Sequence, residues 1–95
     1  MEQEIVRAIS GRNVLCFDYH GQPRQVNPHA LGHVQPDNKA VLHAWQTGGL
    51  SNHGVPPLWG YFRLDEIQGL EVSDETFFGA QPNYKPKFVN LVHSI

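Results

Sequence analysis

"RQVNPHALGHVQPDNKAVLHAWQ", residues 24–46, holds two extended runs on either side of a compact turn signal. Pro36 presets its own φ, and Asp37 and Asn38 can hydrogen-bond their neighbouring backbone, so the "PDNK" segment breaks the pattern for a physical reason. The runs around it are rich in Val, Leu and aromatic residues, which fit a pleated, half-buried surface. This predicts a hairpin in which residues 31–35 pair with a strand over 40–46. With Asp37 and Asn38 as its two loop residues, Val34 faces Val41 and Leu31 faces Ala44. Pro28 has no N–H to give to a ladder, so a bulge or an unpaired edge is expected there.

The same period extends upstream. In "NVLCFDYHG" (13–21), Leu15, Phe17 and Tyr19 fall on one face, while Val14, Cys16, Asp18 and His20 fall on the other. This is a first strand, and "HGQPR" (20–24) turns it into the second. Before it, "EQEIVRAIS" (2–10) spaces Ile5, Val6 and Ile9 as one face of a helix, with acids in the first turn and Gly11 placed to end it. Downstream, "WGYFRL" (59–64) and "LEVS" (70–73) form a fourth and fifth strand joined through "DEIQG". Phe88, Leu91, Val92 and Ile95 recur at i, i+3, i+4 and i+7 after Pro86, which predicts a closing amphipathic helix of about two turns. The expected architecture is mainly β: one domain over 1–95, a small antiparallel five-stranded barrel with an N-terminal helix and a short C-terminal helix.

Bulk composition narrows the function classes. The 95 residues are 40% hydrophobic and 17% charged, and no apolar run approaches the roughly 20 residues that span a bilayer. The first ten residues lack the basic start and apolar block of a secretory signal, so a cytoplasmic location is expected. Seven Lys and Arg against nine Asp and Glu give a net charge of −2, with the basic residues scattered singly. General nucleic-acid binding relies on clustered positive charge and is therefore not expected. The lone Cys16 sits among apolar strand residues and reads as a buried structural thiol.

Between Trp45 and Trp59 the chain spends about a dozen residues where two to five would reverse it. Gly48, Gly49 and Gly54 let the backbone approach a partner closely, and Ser51 offers a hydroxyl. The loop is either a ligand cradle, a subunit contact or plain connection. No lysine accompanies the glycines, so a phosphate loop is not expected. Trp59, beside "PPL", suits the wall of a pocket or interface. Arg24 either pairs with Asp18 across the first turn or anchors an anion. His29 and His33 lie roughly 13 Å apart on an extended chain, too far to share one zinc, and no metal or cofactor is expected.

Pro28, His29 and Gly32, then Gln46, Gly48 and Gly49, then Ser51, Gly54, Trp59, Phe78, Pro82 and Tyr84 follow an ordered pattern along nearly the whole chain. In that order and spacing they resemble small stand-alone relatives of the WYL domain, which is found mostly in bacterial transcription regulators. The resemblance implies an Sm-like or SH3-like barrel that senses a ligand, nucleotide or nucleic-acid fragment for an effector. The chain departs from the pattern at the naming triplet, which falls on Ala40, Val41 and Leu42. Two arginines usual in the family fall on Gly60 and Glu66. Tyr19, Arg24 and Arg63 remain at matching or nearby positions. Losing two cations weakens the case for a nucleotide, since each charge-assisted contact contributes about 1.5–3 kcal/mol.

No helix-turn-helix segment precedes residue 14, so direct sequence-specific DNA binding is not expected. No nucleophile–base–orienter set is visible either, and a non-enzymatic binding module is expected. Its ligand residues would be Tyr19, Arg24, His29, Gln46, Ser51, Trp59 and Arg63, holding a small anionic or nucleotide-like molecule or a protein partner. The alternative is a homo-oligomeric interaction domain in which the 46–58 loop and the C-terminal helix make subunit contacts.

Overall fold

A computed structural model describes all residues, 1–95. Its elements are a helix α1 (Glu2–Gly11) and strands β1 (Asn13–Tyr19), β2 (Gln22–Val34), β3 (Lys39–Gly49), β4 (Leu58–Arg63), β5 (Ile67–Thr76) and β6 (Asn90–Ser94), with a 3-10 turn at Leu64–Glu66. The fold is mainly β, an antiparallel six-stranded sheet with one N-terminal helix. The sheet runs β4-β3-β2-β1-β5, with β6 added beside β2 and no ladder joining β4 to β5. No helix is long and apolar enough to cross a membrane.

The 13-residue β2 organises the rest. Its first half pairs with β1 (Leu15 opposite Val26, Tyr19 opposite Gln22), and from Arg24 to Val34 it pairs with β3. The β2–β3 register shifts between Pro28, opposite Ala44, and Ala30, opposite His43, so the proline stands at the edge of an irregularity that leaves His29 out of the pairing. Beyond that point β1 has ended, and β2 offers open backbone groups from Ala30 to His33. β6 takes them, with Ala30 opposite Ser94 and Gly32 opposite Leu91.

The expected C-terminal helix is thus replaced by a strand. Two turns of isolated helix are marginal in water, whereas an unpaired stretch of β2 supplies backbone partners for every second residue. Gly32 makes the approach possible: a Cβ there would lie 2.5 Å from Phe88 Cγ and 2.7 Å from the Asn90 carbonyl oxygen.

The hairpin register also differs from the expected one. Val34 pairs with Lys39, Leu31 with Leu42 and Gly32 with Val41, so the turn holds four residues, 35–38, not two. Asn38 takes a left-handed φ of 55°, and the Lys39 N–H donates to Asp37 Oδ1 at 3.3 Å. A shift of two keeps every side chain on its face, so the core is unaffected.

Thirteen buried residues form one cluster, from Ile5, Ala8 and Ile9 of α1 through Leu15, Phe17, Tyr19, Val26, Leu31, Leu42 and Ala44 to Phe62, Leu64 and Ile67. Phe62 meets Phe17 and Tyr19 edge to face at 5.2 and 5.1 Å. Fully buried Ile5 and Ile9 each contribute about 1.5–3 kcal/mol, enough to hold a ten-residue helix that would not persist alone. The helix closes one residue later than expected: Arg12, not Gly11, takes the left-handed cap with φ 56°.

Candidate functional site

Alternation along β3 and β4 separates two layers. Leu42, Ala44 and Phe62 face the core, while His43, Trp45, Trp59 and Tyr61 face the other way. The segment from Phe77 to Phe88 crosses that second face, bringing Phe77, Tyr84 and Phe88 against it. His43 stacks between the rings of Trp59 (4.7 Å, 19°) and Tyr61 (4.1 Å, 22°). Its Nδ1–H donates to the Gly60 carbonyl at 3.1 Å.

His29 is the centre of this second layer. It is fully buried, its Nδ1–H donates to the Asn27 carbonyl at 2.8 Å, and its Nε2 accepts the Gln81 N–H at 2.9 Å. Both ring nitrogens are therefore used, and the neutral tautomer is fixed by its partners. Burial lowers its pKa, the Asn27 bond acts against that, and nearby Arg12 lowers it further. His43 is lowered by burial as well, with the Gly60 bond opposing and His29 adding to the effect. His29 thus ties the C-terminal segment to the sheet and stands outside the cavity described next.

That cavity, about 320 Å³, opens where the β1–β2 turn, the end of β3, the start of β4 and the loop after Gly49 converge. Of the seven residues expected to bind, Tyr19, Arg24, Gln46, Ser51 and Trp59 line it. Arg63 does not: its guanidinium turns away to Asp37 and to Glu66, the latter at 3.3 Å. Leu58 and Phe62 add apolar wall.

Arg24 is the unusual member. Only 5% of it is exposed, yet no carboxylate pairs with it, and the expected partner Asp18 is exposed and not bonded to it. One terminal nitrogen donates to the Tyr19 carbonyl at 3.1 Å and Gln22 Oε1 at 3.2 Å, and the other reaches Gln46 Oε1 at 3.4 Å. Nε is buried with no partner. The guanidinium lies over the rings of Tyr19 and Phe62, at 5.5 and 5.8 Å. Burial lowers its pKa from the usual arginine value. A buried cation held only by neutral acceptors and aromatic faces keeps much of its desolvation penalty uncompensated.

Gln46 fixes the loop to this cation. Its Oε1 faces Arg24, and its Nε2 donates to the carbonyls of Gly48 (3.0 Å) and Leu50 (2.9 Å). Leu50 N–H donates to the Pro23 carbonyl at 2.9 Å. Gly49 makes this closure possible with φ 84°, where an added Cβ would lie 2.1 Å from the Pro23 oxygen. Ser51 Oγ accepts the His53 N–H at 3.1 Å, which leaves its own proton to donate. Tyr19 Oη accepts the Arg63 N–H at 3.1 Å, joining the cavity wall to β4.

His43 was missing from the sequence-based set, although its place one residue from Leu42 and two from Trp45 puts it on the outer face by alternation. No three His, Cys, Asp or Glu side chains converge as a metal site would require. Cys16 is half-buried, short of the full burial expected of a structural thiol. Comparison with protein-family models, curated proteins and solved structures finds no match to this chain.

Proposed function

We propose that the protein is a non-enzymatic binding module that holds a small anion against Arg24. The observation that carries this reading is an arginine 95% removed from solvent that lines a cavity and has no carboxylate partner, its Nε buried without a hydrogen bond. A bound anion would supply the missing counter-charge at the place where the protein leaves one out. Gln46, Ser51 and Trp59 then act as loop anchor, hydroxyl donor and apolar wall. We place the chain, on the resemblance of its motifs, with stand-alone WYL-like regulators, and its sheet with an open variant of the Sm/SH3-like barrel. A regulatory, cytoplasmic role follows from that placement.

The test is titration of the ¹⁵N-labelled protein with benzoate, inorganic phosphate and AMP. Saturable shifts at the Gln46 side-chain amide and the Trp59 indole are expected with at least one of them, and R24M abolishes them. Absence of saturation with all three, or equal binding by R24M, refutes the reading.

Self-association is a second reading, favoured by Val89, just before the last strand, and Leu91 and Val92 in it, which stay 46–57% exposed. It replaces the expected C-terminal helix contact with a strand-edge contact. Sedimentation across a dilution series decides it: one monomeric species at all concentrations eliminates it.

A further inference from the structure

We infer that the Arg24 cavity selects a small monocarboxylate with a flat apolar body over phosphate-bearing ligands, an inference that rests on the anion reading above. Charge is the first argument. Arg24 is the single permanent cation lining the cavity, and no lysine and no acidic side chain joins it. Of the two imidazoles at the rim, His20 is bonded through Nε2 to Glu66 Oε1 at 2.5 Å, and His53 is exposed on the loop. A carboxylate carries one negative charge and cancels one guanidinium. A phosphate monoester carries about 1.5–2 at neutral pH and would leave an unpaired negative charge beside aromatic walls.

Donor geometry points the same way. One terminal nitrogen of the guanidinium fork is engaged by Tyr19 and Gln22, while the other holds Gln46 at a long 3.4 Å and keeps a donor for one ligand oxygen, which suits a carboxylate better than the three oxygens of a phosphate. Size is the third argument: about 320 Å³ stands at the lower end of the roughly 300–1,000 Å³ of small-molecule pockets. Leu58, Trp59 and Phe62 supply apolar surface for a ring beyond the charged end.

The experiment is calorimetric titration of the intact chain with benzoate, phenylacetate, acetate, inorganic phosphate and AMP, each at matched ionic strength. Benzoate or phenylacetate is expected to bind at least tenfold more tightly than phosphate or AMP, and more tightly than acetate, which lacks the ring. R24K, which keeps the charge but loses the fork, is expected to bind the aromatic acids at least tenfold more weakly. Q46E places a carboxylate on Arg24 from within and is expected to abolish benzoate binding. Because Q46E also removes two loop bonds, W59L, which leaves the cation and its partners intact, is measured beside it and is expected to weaken benzoate several-fold.

Tighter binding of phosphate or AMP, lost in R24M, overturns the carboxylate inference and leaves the anion reading standing. No binding by any of the five removes both. Benzoate binding unchanged in R24K and W59L overturns the assignment of ring and fork.

Discussion

Replacing His29 with leucine separates the two buried layers by experiment. The imidazole is fully buried and satisfies two backbone groups at once, the Asn27 carbonyl at 2.8 Å and the Gln81 N–H at 2.9 Å. Leucine retains apolar volume but leaves both groups without a partner. Each orphaned group costs about 1–3 kcal/mol when fully buried, and these are partly covered, so the predicted loss is about 2–4 kcal/mol. Against a total stability of about 5–15 kcal/mol, that is a large fraction. Urea unfolding followed by tryptophan fluorescence is the assay, because Trp59 packs edge to face on His29 at 5.0 Å.

A pH arm makes the test specific. Unfolded chain protonates at the ordinary histidine value of 6.5, while folded His29 has its pKa lowered by burial and resists protonation until lower pH. Through that window the unfolded state binds more protons, so stability is complete above about 6.5 and falls as pH drops toward the folded value. Protonated Nε2 would also point a donor at the Gln81 N–H. The gap between wild type and H29L should therefore narrow between pH 7.5 and 5.5, and because His29 also helps to lower the pKa of His43, its removal lets His43 resist protonation less in H29L and adds to the narrowing. Equal midpoints at pH 7.5, or a gap that stays constant on acidification, would refute the account of His29 as a neutral tie.

G49A places a methyl 2.1 Å from the Pro23 oxygen at φ 84°, costing about 2–3 kcal/mol through the left-handed backbone and the displaced Leu50 bond. The thermal midpoint should drop by about 10–20 °C, and an unchanged midpoint would show that the loop closure is not tight. Cys16 has its thiol pKa raised by burial first, then by Glu71 and Glu75, so its reaction with a disulfide reagent at pH 8 should be slower than that of a small free thiol and should speed up in urea. Equal rates in the folded and unfolded protein would count against that environment.

The strand faces were legible because period-2 alternation is a local property. Leu15, Phe17 and Tyr19 show it directly in β1, as do Leu42 and Ala44 in β3. The hairpin register depended on whether "QPDN" spends two residues or four on the turn, and both choices satisfy the same alternation. The fate of residues 88–95 was not local at all. Four apolar residues at helical spacing also suit a short strand, and the outcome rests on β2 outlasting β1 and leaving backbone groups open. The cavity was partly legible through Gln46, Ser51 and Trp59, which flank or lie within the long loop, and through Arg24, which stands just after the first turn. His29 and Arg63 lie outside it for reasons of distant partners: Gln81 is 52 residues from His29, and Asp37 is 26 from Arg63.

The length of β2 has a kinetic consequence. Its pairing with β3 closes only a four-residue turn, but the β1–β5 pairing closes about fifty residues of chain and the β2–β6 pairing about sixty, an entropic cost met before any contact offsets it. The β1–β2–β3 ribbon, whose turns hold only residues 20–21 and 35–38, is therefore the natural nucleus. The flanks of the central ribbon must wait for the most distant residues to arrive, and until then its open backbone is the stretch most prone to pair with a stranger.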